Sequence, residues 1–541
     1  MSQKAFIFRQ GWIVQSISSI DWLWGLSLLL AALVLYCVNL GELPLRDWDE
    51  GLVAQVAREI ARSTDSWLFP SIAGQPYLNK PPLVHVLIAN AFHFGGINEW
   101  TARLPGALLT ALSVPLLYGL GRELFHRRTP AAFAALVYLT WLPVVRQGRL
   151  AMLDGAILCF LLMTIWCLLR SRRNSRFAIG IGIGLGLICL TKGIMLGVLF
   201  GTIAIAFLAW DTPRLLKLPY LWGGMILGVV PIALWYVAQW QEYGLAFFDR
   251  NLVEQSFSRI WSSVESNSGP PWYYLLEVAK NGFPWVLFVP IALKLTWENR
   301  NLSWAKLVLV WAGLYFTAIS LMGTKLPWYA LPLYPALALA IGWQLSSLWQ
   351  RGLHPGIRQK EPGYSRSWVV VFGLFAIAAW AASFYFGTRT QPDFALASLL
   401  AAMALTLSVT AILVVRQDPE FLAVLTWGTF VTLLLLMLSP HWIWELSETY
   451  PVKPVAALIN KHTPANATIL TSYPNYRPSL NFYSDRSVEP ASRQKIQRQW
   501  QRPKQPYLLL DAETLKSLNL DRTQKLGSTD GWTLVTRQPA S

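Results

Sequence analysis

The sequence predicts a mainly α-helical, polytopic membrane bundle of about thirteen transmembrane helices, followed by a small extracytoplasmic α/β domain. Three observations predict it. The 541-residue chain is 54% hydrophobic and only 14% charged, far from the soluble average. Apolar runs close to the roughly 20 residues that cross a hydrocarbon core recur along it. After Tyr450 polar residues return and the apolar runs shorten to strand length.

The apolar runs fall at residues 22–40, 104–121, 131–145, 153–169, 177–191, 194–210, 220–240, 283–297, 307–322, 328–349, 368–387, 394–414 and 421–443. Basic clusters occupy alternate short loops: Arg122, Arg127 and Arg128; Arg170, Arg172, Arg173 and Arg176; Arg214 and Lys217; Arg300 and Lys306; Arg351, Arg358, Lys360 and Arg366. This is the positive-inside pattern, so these loops and the N-terminus are read as cytoplasmic and the C-terminal tail as extracytoplasmic. The net charge of +16 then belongs to topology, and nucleic acid is excluded as a partner. The first run is long and followed by charges, which reads as a retained anchor. Cys37, Cys159, Cys167 and Cys189 all lie within apolar runs, as small apolar residues rather than a disulfide framework.

Residues 1–445 form the expected transmembrane domain and 446–541 the outer domain. In the latter, "VKPVAALINKH" reads as a helix, "ATILTSYP" as a strand, "PYLLLDAETL" as a strand leading into a helix, and "QKLGSTDGWTLVTRQ" as a hairpin turning at Asp530 and Gly531. The "HPGIRQKEPG" stretch from His354 reads as an ordinary inner loop. By parity two long connections face outward, 41–103 with seven acids and five bases and 241–282 with five acids and three bases. Neither has the basic excess of the inner loops, and outer loops can carry chemistry.

Four polar sets sit at span ends. Asp49 and Glu50 open a segment whose apolar stripe, Leu52, Val53, Val56, Ala57 and Ile60, would let a helix lie flat on the membrane surface. Acids there favour a helix dipole, or serve as a general base or metal ligand at the mouth of the bundle. Lys80, in "YLNKPP", lies before two prolines that fix an extended approach to the next span. It either snorkels to headgroups or offers a point charge to a phosphate. Arg149 and Asp154 flank the entry of the fourth span, as a surface pair or facing a cavity. Lys325 and Tyr329, in "GTKLPWYALPLYP", match interfacial anchoring as well as a site.

The six histidines show no metal-ligand spacing, and there is no Walker loop, nucleophile elbow or Cys-x-x-Cys. No cofactor is certain; Asp49, Glu50 and Asp154 are oxygen donors for a divalent metal, at irregular spacing.

Taken together, "DWDE", "GQPYLNKPPL", "RLAMLDG", "PPWYYL", "GTKLPWYALPLYP" and "RPSLNFYSDR" resemble the GT-C membrane glycosyltransferases, near the lipid A aminoarabinose transferases and protein O-mannosyltransferases. The resemblance covers nearly the whole chain. It implies a GT-C fold and inverting transfer, on the outer face, from a polyprenyl-phosphate-linked sugar to a glycolipid, glycan or protein acceptor. It implies Asp49, with Glu50 beside it, as the catalytic acid residue and Lys80 as the contact for the lipid phosphate. Tyr77, Arg149, Asp154, Arg259, Lys325 and Tyr329 are the further substrate-binding candidates. The chain departs from the aminoarabinose transferase pattern at Asn79, where an acid precedes the lysine, and at Leu52 and Val53, where an Arg-Tyr pair follows the acids. A transporter or lipid flippase is the competing class; it requires ionisable residues deep within spans, whereas Lys192 and Lys294 fall near span ends. An O-antigen-ligase-like enzyme requires a histidine that the loop 241–282 lacks.

Overall fold

The computed structural model describes residues 18–63, 66–263, 267–353, 364–443, 451–502, 505–518 and 520–538. The domain boundary expected at 445–446 and the inner loop from His354 lie outside these residues.

Thirteen helices or helix pairs coincide with the thirteen apolar runs. Ten are long and apolar enough to cross a membrane, or up to twelve if each bent pair is one span. The remaining run is the 17-residue helix Asp154–Arg170, at the short end of the lengths that cross a hydrocarbon core.

In chain order these are α1 (Ser19–Cys37), α2 (Leu52–Arg62), α3 (Leu83–Gly95), α4 (Glu99–Leu124), α5 (Arg128–Leu139), α6 (Leu142–Arg149), α7 (Asp154–Arg170), α8 (Ile179–Lys192), α9 (Ile194–Asp211) and α10 (Pro219–Tyr243). The first bent pair is α5 and α6, which meet at 57°. The second outer loop contributes α11 (Leu245–Phe248), a π-helical stretch Asp249–Phe257 and α12 (Ser258–Trp261). α13 (Tyr273–Asn281) and α14 (Val289–Glu298), the second bent pair, are followed by α15 (Ser303–Leu321), α16 (Tyr334–Leu353), α17 (Arg366–Thr388), α18 (Phe394–Val415) and α19 (Phe421–Leu438).

Small residues decide the tightest approach. A Cβ on Gly182 of α8 would lie 2.1 Å from the carbonyl carbon of Gly224 on α10, so only glycine lets these backbones touch. α8 ends at Lys192, and this packing fixes where that lysine emerges.

The apolar stripe of the amphipathic α2 packs on protein. Val53, Ala54, Val56, Ala57 and Ile60 are buried, with α3 on one side and the C-terminal unit on the other. The latter comprises α20 (Val452–His462), α21 (Pro478–Ser484), α22 (Arg493–Trp500) and α23 (Ala512–Ser517) around five strands. With β1 (Ser71–Ile72) and β2 (Gln75–Pro76) forming a small hairpin in the first loop, those strands are β3 (Thr468–Thr471), β4 (Ser487–Pro490), β5 (Tyr507–Asp511), β6 (Thr523–Thr529) and β7 (Trp532–Arg537). The order is β4-β3-β5-β7-β6, with the first three parallel and β7 and β6 antiparallel. Alternate residues face opposite sides: Ile469 and Leu509 pack with α20, Leu470 and Leu508 with Ile496 and Trp500 of α22. The expected hairpin is β6-β7, turning through Asp530 (φ 47°) and Gly531 (φ 83°).

Candidate functional site

The chain leaves α1 and forms a π-helical turn at Asp47–Gly51, closed by Gly51 N–H donating to the Arg46 carbonyl at 2.7 Å. Three acidic residues of this turn, Asp47, Asp49 and Glu50, end up in different surroundings. Glu50 is fully buried. Its Oε1 accepts from Arg103 Nε and the Ala151 N–H, each at 2.8 Å, and its Oε2 from Arg103 Nη2 at 2.9 Å and the Arg46 N–H at 3.0 Å. A carboxylate offers about four lone-pair positions, and all are taken. Burial by itself raises the Glu50 carboxyl, but Arg103 and Arg46 hold it below its ordinary value. Glu50 is therefore a charged anchor with no acceptor position left for a substrate, which corrects its expected place beside the catalytic residue.

Asp47 turns the other way. It accepts from Arg477 Nη1 at 2.8 Å and from the Ser479 N–H and hydroxyl at 3.1 and 2.6 Å, tying the turn to the C-terminal unit. Gly51 seals this joint, since a Cβ there would lie 2.8 Å from the Ser479 nitrogen. Arg58 of α2 adds contacts to the Asn481 and Phe482 carbonyls and to Asp485. Asp49, between the two anchored neighbours, keeps 30% of its side chain exposed, with Arg46 Nη2 3.3 Å away.

Lys80 is pinned from the second outer loop. Asn251, held by the Tyr236 hydroxyl at 2.8 Å, donates to the Leu78 and Asn79 carbonyls at 3.0 and 3.4 Å, and Arg250 Nε donates to Asn79 Oδ1 at 2.9 Å. Tyr77 is buried with its ring edge on His85, centroids 5.4 Å apart. Burial, together with the nearby charges of Arg259 and Lys192, pushes the Lys80 ammonium down to about 7, against a smaller opposing pull from Asp154.

Arg259 donates to the Tyr329 hydroxyl at 3.3 Å and to Gln255 at 2.9 Å. Lys192 pairs with Asp154 at 2.6 Å and lies 5.5 Å from the Tyr329 ring. Lys80, Lys192 and Arg259 against the single carboxylate Asp154 make a cluster whose net charge is +2 with Lys80 protonated and +1 with it neutral, suited to a phosphate. The 150–154 segment links it to the first loop: Ala151 N–H holds Glu50, Met152 Sδ lies 3.0 Å from Arg46, and Asp154 holds Lys192. Three residues of extended chain span at most about 11 Å, so the two polar clusters are neighbours.

Two expected residues lie elsewhere. Arg149 is fully buried, donates to the Leu35 and Val38 carbonyls at 2.9 and 2.5 Å, and lies 4.5 Å from the Trp442 ring. It caps the end of α1, and Asp154 pairs with Lys192 instead, so the surface-pair reading of Arg149 and Asp154 does not hold. Lys325 Nζ donates to the Ile319 and Ser320 carbonyls at 3.0 and 2.6 Å, closing the C-terminal end of α15. Its backbone N–H donates to the Asn267 carbonyl at 2.8 Å, while that of its neighbour Thr324 donates to the Arg259 carbonyl at 3.1 Å and fixes α12.

The carboxylates read as metal donors do not converge, Glu50 being paired with Arg103 and Asp154 with Lys192. Among the described residues no group of three His, Cys, Asp or Glu could hold a metal ion. The sequence alone puts Lys192 near a span end and assigns nothing to Arg103 or Asn251. The available signal was a lone cation closing an apolar helix, the same signal that drew attention to Lys325.

The family model for dolichyl-phosphate-mannose-protein mannosyltransferase matches residues 79–236, which include Lys80, Asp154 and Lys192. Undecaprenyl phosphate-alpha-4-amino-4-deoxy-L-arabinose arabinosyl transferase 1 of Pseudomonas fluorescens Pf-5 is 31% identical over 342 residues, 59% of each chain. The corresponding transferase 2 of Pseudomonas fluorescens Pf0-1 is 30% identical over 346 residues, 60% of each. The chain thus spans about three fifths of the length of the curated relatives it matches. The crystal structure of ArnT from Cupriavidus metallidurans bound to undecaprenyl phosphate superposes with a TM-score of 0.78 over 97% of this chain and 100% of that one, at 19% identity. By fold the chain is a GT-C multi-pass membrane protein, and in sequence it is similar to the aminoarabinose transferases and the protein O-mannosyltransferase family.

Proposed function

We propose that this protein is an inverting glycosyltransferase of the plasma (inner) membrane, moving a sugar from a polyprenyl-phosphate donor to an acceptor on the outer face. The observation that carries this reading is the cationic cluster of Lys80, Lys192 and Arg259 beside the partly exposed Asp49. Asp49 takes the proton of the acceptor hydroxyl or amine as that atom bonds to the anomeric carbon. The bond to the donor phosphate breaks on the opposite face, and its electron pair leaves with the phosphate. Negative charge grows on the leaving group, so the cations and the Tyr329 hydroxyl stabilise the transition state more than the ground state. Asp154 holds and aims Lys192, and Tyr77 walls the site.

Glu50 and Asp47 hold the Asp49 turn between the bundle and the C-terminal unit, which makes that unit a structural part of the site. The N-terminus is assigned to the cytoplasm and the C-terminal unit to the outside. Supporting this, Asp21 and Arg122, next to the basic loops, lie at the opposite ends of α1 and α4 from the joints to Asp47 and Glu99. A transporter predicts donor-independent flux instead. The test is binding of undecaprenyl phosphate to the purified chain: Lys80→Ala should weaken it about tenfold or more, and equal binding by wild type and variant would reject the phosphate assignment.

A further inference from the structure

At the end of the bundle away from the C-terminal sheet lies a polar cluster that the transfer chemistry does not use. α1 rises about 28 Å over its length, so Asp21 at its start is a hydrocarbon thickness from the Asp49 turn. Asp21 accepts from Tyr118 at 2.8 Å, Arg122 at 2.9 Å and Arg128 at 3.1 Å. Nearby, Glu123 accepts from Arg170 at 2.6 Å and pairs with Arg173 at 3.3 Å. Each carboxylate faces two guanidiniums, and the members of the cluster that line its adjoining cavity, Arg122, Arg170 and Arg173 against Asp21 and Glu123, carry a net charge of +1. From it a groove of about 220 Å³ extends between α1, α4 and α7, walled by Trp22, Gly25, Leu112, Pro115 and Trp166. Trp22 and Leu112 are 71% and 44% exposed on spanning helices, so the groove opens sideways into lipid.

We propose that this groove binds one anionic phospholipid, its acyl chain along Gly25 and Leu112 and its phosphate against Arg122, Arg170 and Arg173. The surplus positive charge selects an anionic headgroup over a zwitterionic one, and planar guanidiniums suit phosphate oxygens. The apolar walls select an amphiphile over a free anion, because a chain lying there is removed from no favourable solvent and adds contact along the groove.

The test titrates the full chain in detergent with phosphatidylglycerol, phosphatidylcholine and inorganic phosphate, reading bound lipid by native mass spectrometry. Phosphatidylglycerol should bind at least about tenfold more tightly than phosphatidylcholine, and Arg170→Gln should weaken it about fivefold. Gly25→Leu should abolish binding with the thermal midpoint unchanged, because a side chain there meets nothing within 4 Å and fills the groove. This variant carries the test alone if Arg170→Gln fails to fold. Equal affinity for the two lipids, undiminished binding by Gly25→Leu, or full displacement by millimolar inorganic phosphate would each overturn the proposal.

Discussion

Replacing Arg477 with Met removes the counter-charge from Asp47, whose side chain is only 2% exposed. Breaking a buried pair by deleting one partner costs about 3–5 kcal/mol. Asp47 retains the Ser479 N–H and hydroxyl, so the lower end, about 3 kcal/mol, applies. The C-terminal unit has its own core around Ile459, Leu509 and Leu534, so the loss falls on its docking to the turn that carries Asp49. That energy corresponds to about a hundredfold change in the docking equilibrium constant. The assay is steady-state transfer by purified protein. kcat should fall by up to about that factor, the KM for the lipid donor should change little because Lys80 is held separately, and Arg477→Lys should restore part of kcat. In a double-mutant cycle with Asp47→Asn the double variant should be no worse than either single one. A folded Arg477→Met protein with kcat within about twofold of wild type would refute the argument that this joint positions Asp49.

Lys80 gives a pH signature. Its ammonium is pushed down to about 7, below its unfolded value, so the charged form is disfavoured in the fold; stability is lowest below about pH 7 and rises as pH climbs toward the unfolded value near 10.4. A bound phosphate favours the charged form, so the KM for the donor should rise above about pH 7, by up to about tenfold per pH unit, and Lys80→Arg should flatten that slope. Glu50→Gln, measured by thermal unfolding, should cost about 3–5 kcal/mol because Arg103 is left buried without its counter-charge. Lys325→Met should lower stability by about 1 kcal/mol through loss of the α15 end contacts while leaving the donor KM within about threefold.

The spans were legible because a bilayer imposes length and hydropathy on any helix that crosses it; each of the thirteen apolar runs found a helix or helix pair. The break at Thr140–Trp141, inside the run 131–145, carries no hydropathy signal, whereas the one near Gly282 falls where the run 283–297 begins. The outer hairpin was legible from Asp530 and Gly531, residues that tolerate positive φ. β4 was not, since Ser487–Pro490 is a short parallel edge strand that depends on β3. For the site, the sequence marked the carboxylate pair and the lysine before proline but not how their roles divide. Asp49 and Glu50 are adjacent and chemically alike, and only the buried arm of Arg103, more than fifty residues away, makes Glu50 an anchor. Arg149 and Lys325 looked like site cations because a charge beside an apolar run has two fates, toward a ligand or toward the orphan carbonyls at a helix end. Both met carbonyls, and Lys192 took the place at Asp154.

The most direct measurement follows label leaving a radiolabelled polyprenyl-phosphate sugar in membranes containing the wild type, Asp49→Asn or Lys80→Ala at matched folded levels. Transfer by the wild type, with a loss of about 10²-fold or more in each variant, is the predicted result. No consumption of donor by the wild type, or equal rates in all three, would contradict it.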